Sequence, residues 1–137
     1  MQIRLASVVA FYREDGKVLI QDRRNIIKDD TEWSFFWWQQ EWTESFLNCI
    51  IREIQEELGF RVDTQAIWEI GHTVMSLKDI ATTEIHIFFC PWKSEYDGFT
   101  VLEWAGYQWV TFEEFKKLSI YPVNHAQIAI IERYLSL

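Results

Sequence analysis

The stretch Glu44 to Phe60, ESFLNCIIREIQEELGF, constrains this chain more than any other. Wound as a helix at ~100° per residue, it puts Leu47, Ile50, Ile51, Ile54 and Leu58 on one apolar stripe and gathers Glu53, Glu56 and Glu57 on the opposite side. The stripe demands something to pack against. Carboxylates spaced i, i+3, i+4 stand ~5–6 Å apart at Cβ, and like charges that close cost stability unless a cation sits among them. Hard divalent ions such as Mg²⁺ accept such ligands, usually as one or two carboxylates plus waters and substrate phosphates. A solvated acidic face is the alternative, and the helix alone does not choose between them.

Around this helix the chain supplies strands. Ile3 to Tyr12 is rich in β-branched and aromatic residues, and the turn Glu14-Asp15-Gly16-Lys17 leads to a second strand, Val18 to Arg23, which predicts a hairpin. Asn25 to Glu32 reads as a polar loop, and Trp33 to Trp38 as a short aromatic strand running into the helix. Gly59 suits the left-handed position after the helix, with Phe60 making the accompanying apolar contact. Ala66 to Ser76 reads as a paired-strand region, Leu77 to Thr83 as a loop, and Glu84 to Trp92 as a strongly apolar central strand that Pro91 ends or marks as an edge. After a turn over Lys93 to Gly98, Tyr107 to Val110 is a further short strand. Thr111 with Glu114 and Asn124 with Gln127 are capping-box patterns. They start a short helix through about Leu118 and a final helix to Tyr134, separated by Tyr121-Pro122, and Ile128, Ile131 and Leu135 form the last helix's buried stripe. The expected fold class is α+β, a mixed sheet between helices, in a single domain over residues 1–137.

Composition narrows the function. A net charge of −8 argues against non-specific binding to nucleic-acid polymers or anionic membranes, although an acidic protein binds polyphosphates when metal ions mediate. No apolar run reaches about 18 residues and no charged-then-apolar leader is present, so a cytoplasmic protein is expected. Cys49 and Cys90 are too few for a disulfide framework or a zinc site and read as buried small hydrophobes. His72 and His86 lie in strand-like runs, either as substrate contacts or bases or as hydrogen-bonded structural histidines; His125 opens the last helix and should be exposed. Arg23-Arg24 is either a phosphate or base contact or a soluble strand end.

Arg52-Glu53-Ile54-Gln55-Glu56-Glu57-Leu58-Gly59-Phe60, with Glu44 eight residues before Arg52, resembles the signature of the Nudix hydrolases: Gly, five residues, Glu, seven residues, Arg-Glu, an aliphatic, any residue, Glu-Glu, any residue, Gly and an apolar residue. Only the leading glycine is missing, and Trp38 stands in its place. The resemblance implies a Nudix-like α/β/α sandwich across essentially the whole chain and metal-assisted hydrolysis of a diphosphate linked to another moiety, most often a nucleoside. It implies that Glu53, Glu56 and Glu57 hold Mg²⁺ or Mn²⁺, that Glu53 positions or deprotonates water, and that Arg52 pairs with Glu44 to fix the loop against the helix. A backbone carbonyl near position 37 or 38 would also face the metal, and Glu103 is a weaker candidate for an additional ligand or base.

The aromatic content, 17% with eight Trp, needs a separate account. Trp37, Trp38, Trp42 and Phe46 form a bulky set beside the implied metal site, and by helical angle Phe46 should project on the acidic side rather than into the core. One reading makes them a stacking wall for a nucleobase or another flat, nucleotide-like substrate. The other makes them a surface for a protein partner or a second copy of the chain, on an impaired or engineered Nudix scaffold. Consecutive Trp37 and Trp38 must point to opposite faces of an extended segment.

Overall fold

The computed structural model describes residues 2–22, 33–40, 44–77, 81–99, 106–118 and 122–136. Its spine is the pair β1 (Gln2–Tyr12) and β6 (Ala81–Pro91), parallel over their full length from Gln2↔Ala81 to Tyr12↔Pro91. On its other edge β1 meets β4 (Phe36–Gln39) and, through the hairpin base Tyr12↔Val18, β2 (Val18–Asp22). β2 carries β3 (Trp33–Ser34) and β7 (Gly106–Val110), both antiparallel, and β5 (Trp68–Leu77) lies antiparallel outside β6. The seven strands form one mixed sheet.

Period-two alternation sorts the strand side chains into two cores. Val9, Phe11, Leu19, Phe36, Trp38, Phe88 and Cys90 face α1 (Phe46–Leu58), meeting its Ile50, Ile54 and Leu58. Val8, Ala10, Ile20, Phe35, Ile85, Ile87 and Phe89 face the other way, toward Phe115 of α2 (Phe112–Leu118) and Ile128 and Ile131 of α3 (Pro122–Leu135). Both faces are covered, which makes the α/β/α sandwich and explains why continuous apolar runs such as Ile87-Phe88-Phe89-Cys90 are tolerated.

Several elements differ from the sequence reading. The segment Trp33 to Trp38 is two strands rather than one: it leaves β2 after Ser34 and joins β1 at Phe36, and Gln21 Nε2 donates to the Phe35 carbonyl at the break, 3.1 Å away. Of the stretch read as a loop, Leu77 to Thr83, the described residues Leu77 and Ala81 to Thr83 are strand: Leu77 pairs with Ala81, and Ala81 to Thr83 lie between Met75 to Leu77 of β5 and the parallel edge of Gln2 to Arg4 in β1; residues 78–80 lie outside the described set. Ala66 to Ser76 holds one strand rather than a pair, with a register irregularity between Glu69 and Gly71. The Lys93 to Gly98 turn contains a 3₁₀ turn, Ser94–Tyr96, that buries Tyr96. The capping-box pattern at Thr111 and Glu114 is formed, each donating its backbone N–H to the other's side chain at 3.0 and 3.1 Å. The one at Asn124 and Gln127 is not. α3 already begins at Pro122, whose fixed φ suits a first helical turn, so Asn124 and Gln127 are buried inside the helix and Asn124 Nδ2 donates to the Trp33 carbonyl at 3.4 Å.

α1 is bounded as its sequence requires. The Ser45 hydroxyl accepts the Asn48 N–H at 3.1 Å, and Gly59, at φ 80°, turns the chain and donates its N–H to the carbonyls of Ile54 and Gln55. Phe60 then enters the core, stacked on Tyr96 at 4.6 Å between ring centroids and edge-on to Phe11 and Trp92. Cys49 takes a buried place on the helix, whereas Ile51, expected in the stripe, is only half-buried at its margin. Because a Cβ at Gly59 would meet no atom within 4 Å, Gly59→Ala should cost only the left-handed backbone penalty, ~1–2 kcal/mol, with Gly59→Asn milder; urea unfolding checks both.

Candidate active site

Arg52 is the centre of the polar flank of α1. Its Nε and Nη2 grip the Glu44 carboxylate at 2.7–3.1 Å, while Nη1 lies 3.3 Å from Glu53 and 3.1 Å from Glu56. Glu44 precedes the helix, so this two-pronged contact ties the entering segment to a point two turns along α1. The Glu44 backbone is tied as well, its carbonyl accepting the Gln40 side-chain amide. Each partner stabilises the other's charge: the hydrogen bonds to Glu44 raise the Arg52 guanidinium further, and those from Arg52 hold the Glu44 carboxyl below its usual range.

The three signature glutamates are not equivalent. Glu53 is only 15% exposed and stands in hydrogen-bonding range of Glu57, one turn on, at the rim where helix meets sheet. Burial, and then the Glu57 charge, push the Glu53 carboxyl up to about 7, with Arg52 opposing. Glu56, 57% exposed, turns outward onto Arg52. The expected convergence of all three is therefore reduced to a pair, and among the described residues no three His, Cys, Asp or Glu side chains form a metal cage. The pair still fits a divalent cation. Mg²⁺ commonly uses one or two carboxylates with waters and phosphate oxygens filling the other positions, and a cation would relieve the repulsion that burial and proximity impose on Glu53 and Glu57.

The aromatic set is taken apart by the sheet. Trp38 turns toward α1, is 5% exposed, and donates its indole N–H to Glu57 Oε2 at 2.6 Å. Trp37 points to the opposite face and lies half-buried against the α3-side core. Phe46 does not stand free on the acidic side: it packs at the margin of the α1 core and stacks on His86 at 4.1 Å between centroids. Trp42 lies outside the described residues, as do Glu103, Arg23 and Arg24. Trp37, Trp38 and Phe46 thus share no exposed patch, because the alternation of an extended strand separates the first two and the first turn of α1 presses the third onto the sheet.

His86 is more engaged than the sequence suggested. Its Nε2 lies 3.1 Å from Glu84 and its Nδ1 3.1 Å from Glu69, under the Phe46 ring, while His72 stacks beside it at 5.8 Å. Ser7 links the rows, being the ladder partner of both Trp38 and His86. His125 is exposed on α3 as expected. Both cysteines are buried, and burial pushes the Cys90 thiol up to about 12, which removes it as a nucleophile at neutral pH.

Glu53 carries a pH signature. Its folded value lies above the ordinary carboxyl value of 4.5, so the stability it contributes is fully present below about 4.5 and is lost as pH rises through about 7. Metal-free protein should therefore unfold at lower denaturant concentration at pH 8 than at pH 5, and Glu53→Gln should flatten that difference. Urea titrations at the two pH values, with chelator present, measure it.

Comparison with known proteins agrees with this fold. The structure resembles the solution structure of the Escherichia coli ORF135 protein, with TM-score 0.76 and 21% identity over 100% of this chain and 91% of that one. It also resembles the E. coli dihydroneopterin triphosphate pyrophosphohydrolase, with TM-score 0.73 and 17% identity over 93% and 95% of the two chains. A Caenorhabditis elegans Ap4A hydrolase matches with TM-score 0.68 and 14% identity over 96% and 98%. At such identities the likeness is one of fold. No curated protein matches the chain by sequence. A NUDIX domain model, however, matches residues 1–133, nearly all of the 137, and the chain belongs to that family.

Proposed function

We propose that this protein is a divalent-metal-dependent hydrolase of the diphosphate bond in a nucleoside diphosphate-linked substrate. The observation that carries the reading is the Glu53–Glu57 pair: two carboxylates held together in a half-dry rim, one with its proton affinity raised to near neutrality, beside a guanidinium already occupied by Glu44. Such a pair is costly for stability and suited to binding a cation. Family membership and the fold relatives, two of which are named for hydrolysis of phosphate-anhydride substrates, support the reaction class.

Mg²⁺ or Mn²⁺ at this rim would supply charge neutralisation to the diphosphate and make water more acidic. Glu53 and Glu57 are the residues that would hold it, with Glu56 free to join by leaving Arg52. The chain's own work is then positional. Arg52 and Glu44 lock the entering segment, so that the acids of the middle and last turns of α1 keep a fixed relation to the sheet edge. Glu53, at the junction of the acids and the sheet edge, is placed to position attacking water and accept its proton as the P–O bond of the anhydride breaks. Glu84, His86 and His72 on the same sheet face offer donors and acceptors beyond the N-terminal turn of α1, where the remainder of a substrate would lie.

Glu53→Gln should lower metal-dependent turnover by ~10²–10⁴-fold, the usual contribution of a positioned general base, while far-UV circular dichroism stays unchanged. The assay is phosphate or nucleotide release from nucleoside triphosphates, nucleotide sugars and dinucleoside polyphosphates with Mg²⁺ or Mn²⁺. If the parent protein releases nothing from any of them in a metal-dependent way, the enzyme reading is lost.

A further inference from the structure

We infer that Trp38 is a positioning residue for Glu57, and through it for the divalent cation; this rests on the reading of Glu53 and Glu57 as the cation's holders. A glutamate at the rim of a helix has three side-chain torsions, and the like charge of Glu53 one turn away opposes its approach. Trp38 restricts those torsions. Its indole N–H meets Glu57 Oε2 at 2.6 Å, the short distance of a charge-assisted bond. An indole N–H only donates, so this bond admits no reversed assignment.

The donor is itself immobile. Trp38 is 5% exposed, lies in the core cluster with Ile50, Ile54 and Leu58, and tilts against Phe36 at 6.3 Å between ring centroids. Its strand is pinned to β1 by the ladder partner Ser7, and the next residues are tied to the helix start through Gln40 and Glu44. Glu57 is therefore referenced to the sheet rather than to α1 alone. The position held in the signature by a glycine thus carries, in this chain, a rigid donor to one of the signature's own acids.

A buried Trp needing an acceptor for its N–H would account for the same bond without any consequence for metal, so the test must separate the two. Mn²⁺ alone is the probe. Its affinity is measured by calorimetry on the parent, on Trp38→Phe, and on protein carrying benzothienylalanine at position 38, which keeps the ring shape and lacks the N–H. Trp68→Phe, remote on β5 with its indole bonded to Tyr134, is the control. Removal of a hydrogen-bond partner of a metal ligand should weaken Mn²⁺ binding ~10–100-fold in both position-38 variants and leave the control at parental affinity. In ¹⁵N spectra, the indole resonance lost in Trp38→Phe should be the one most strongly broadened by Mn²⁺ in the parent. Should Trp38→Phe fail to fold, the shape-preserving variant decides. Equal or tighter Mn²⁺ binding in folded position-38 variants overturns this inference and leaves the proposed function standing. A parent that binds no Mn²⁺ overturns the proposed function, and this inference with it.

Discussion

The structure depends on how α1 lies across the sheet. Ile50, Ile54 and Leu58 are completely buried against Val9, Phe11, Phe36, Trp38 and Phe88, and each such side chain removed from water contributes ~1.5–3 kcal/mol. That contact fixes the helix's rotation about its own axis. Glu53 and Glu57 then fall at the rim between helix and sheet, where burial acts on them, and Glu56 falls outside. The same docking brings the last turn of α1 over β4, so that a side chain from the strand reaches one from the helix.

Electrostatics at the rim follow from that placement. Three carboxylates, Glu44, Glu53 and Glu56, share one guanidinium, and Arg52 gives its best geometry to Glu44. In water such a contact would contribute little to stability; here its value is orientation, because it fastens the segment leading into the helix. Glu53 receives only a single 3.3 Å approach and remains close to Glu57, which leaves it the least satisfied acid of the set and the one most altered by a cation.

Trp38 changes the meaning of the aromatic content. Read linearly, Trp37, Trp38 and Phe46 look like one sticky surface. In the fold Trp38 is a core residue that also anchors an acid, Trp37 closes the opposite face, and Phe46 covers His86. A large side chain replaces a glycine without disrupting the framework because strand β4 is extended there, and its α1-facing side opens into an apolar layer able to take an indole.

Local pattern alone was enough for the helix, its glycine end at Gly59, its buried stripe, the pairing of Arg52 with Glu44 and the kinship with Nudix hydrolases, since each depends on residues within a few turns of one another or on a fixed spacing. It was also sufficient for the first hairpin, the apolar central strand and the Thr111–Glu114 cap. It misread the Asn124 cap because a proline two residues earlier starts the helix equally well, and it misread Leu77 and Ala81 to Thr83 because their strand state rests on pairing between β5 and β6 and on a β1 edge some eighty positions away. Which glutamates meet, and what meets them, was decided by tertiary structure alone. Helical spacing sets azimuth, but the final direction of a carboxylate depends on its partners. Arg52 draws Glu56 outward, while the Trp38 indole, delivered by a strand whose pairing no local pattern encodes, holds Glu57 beside Glu53.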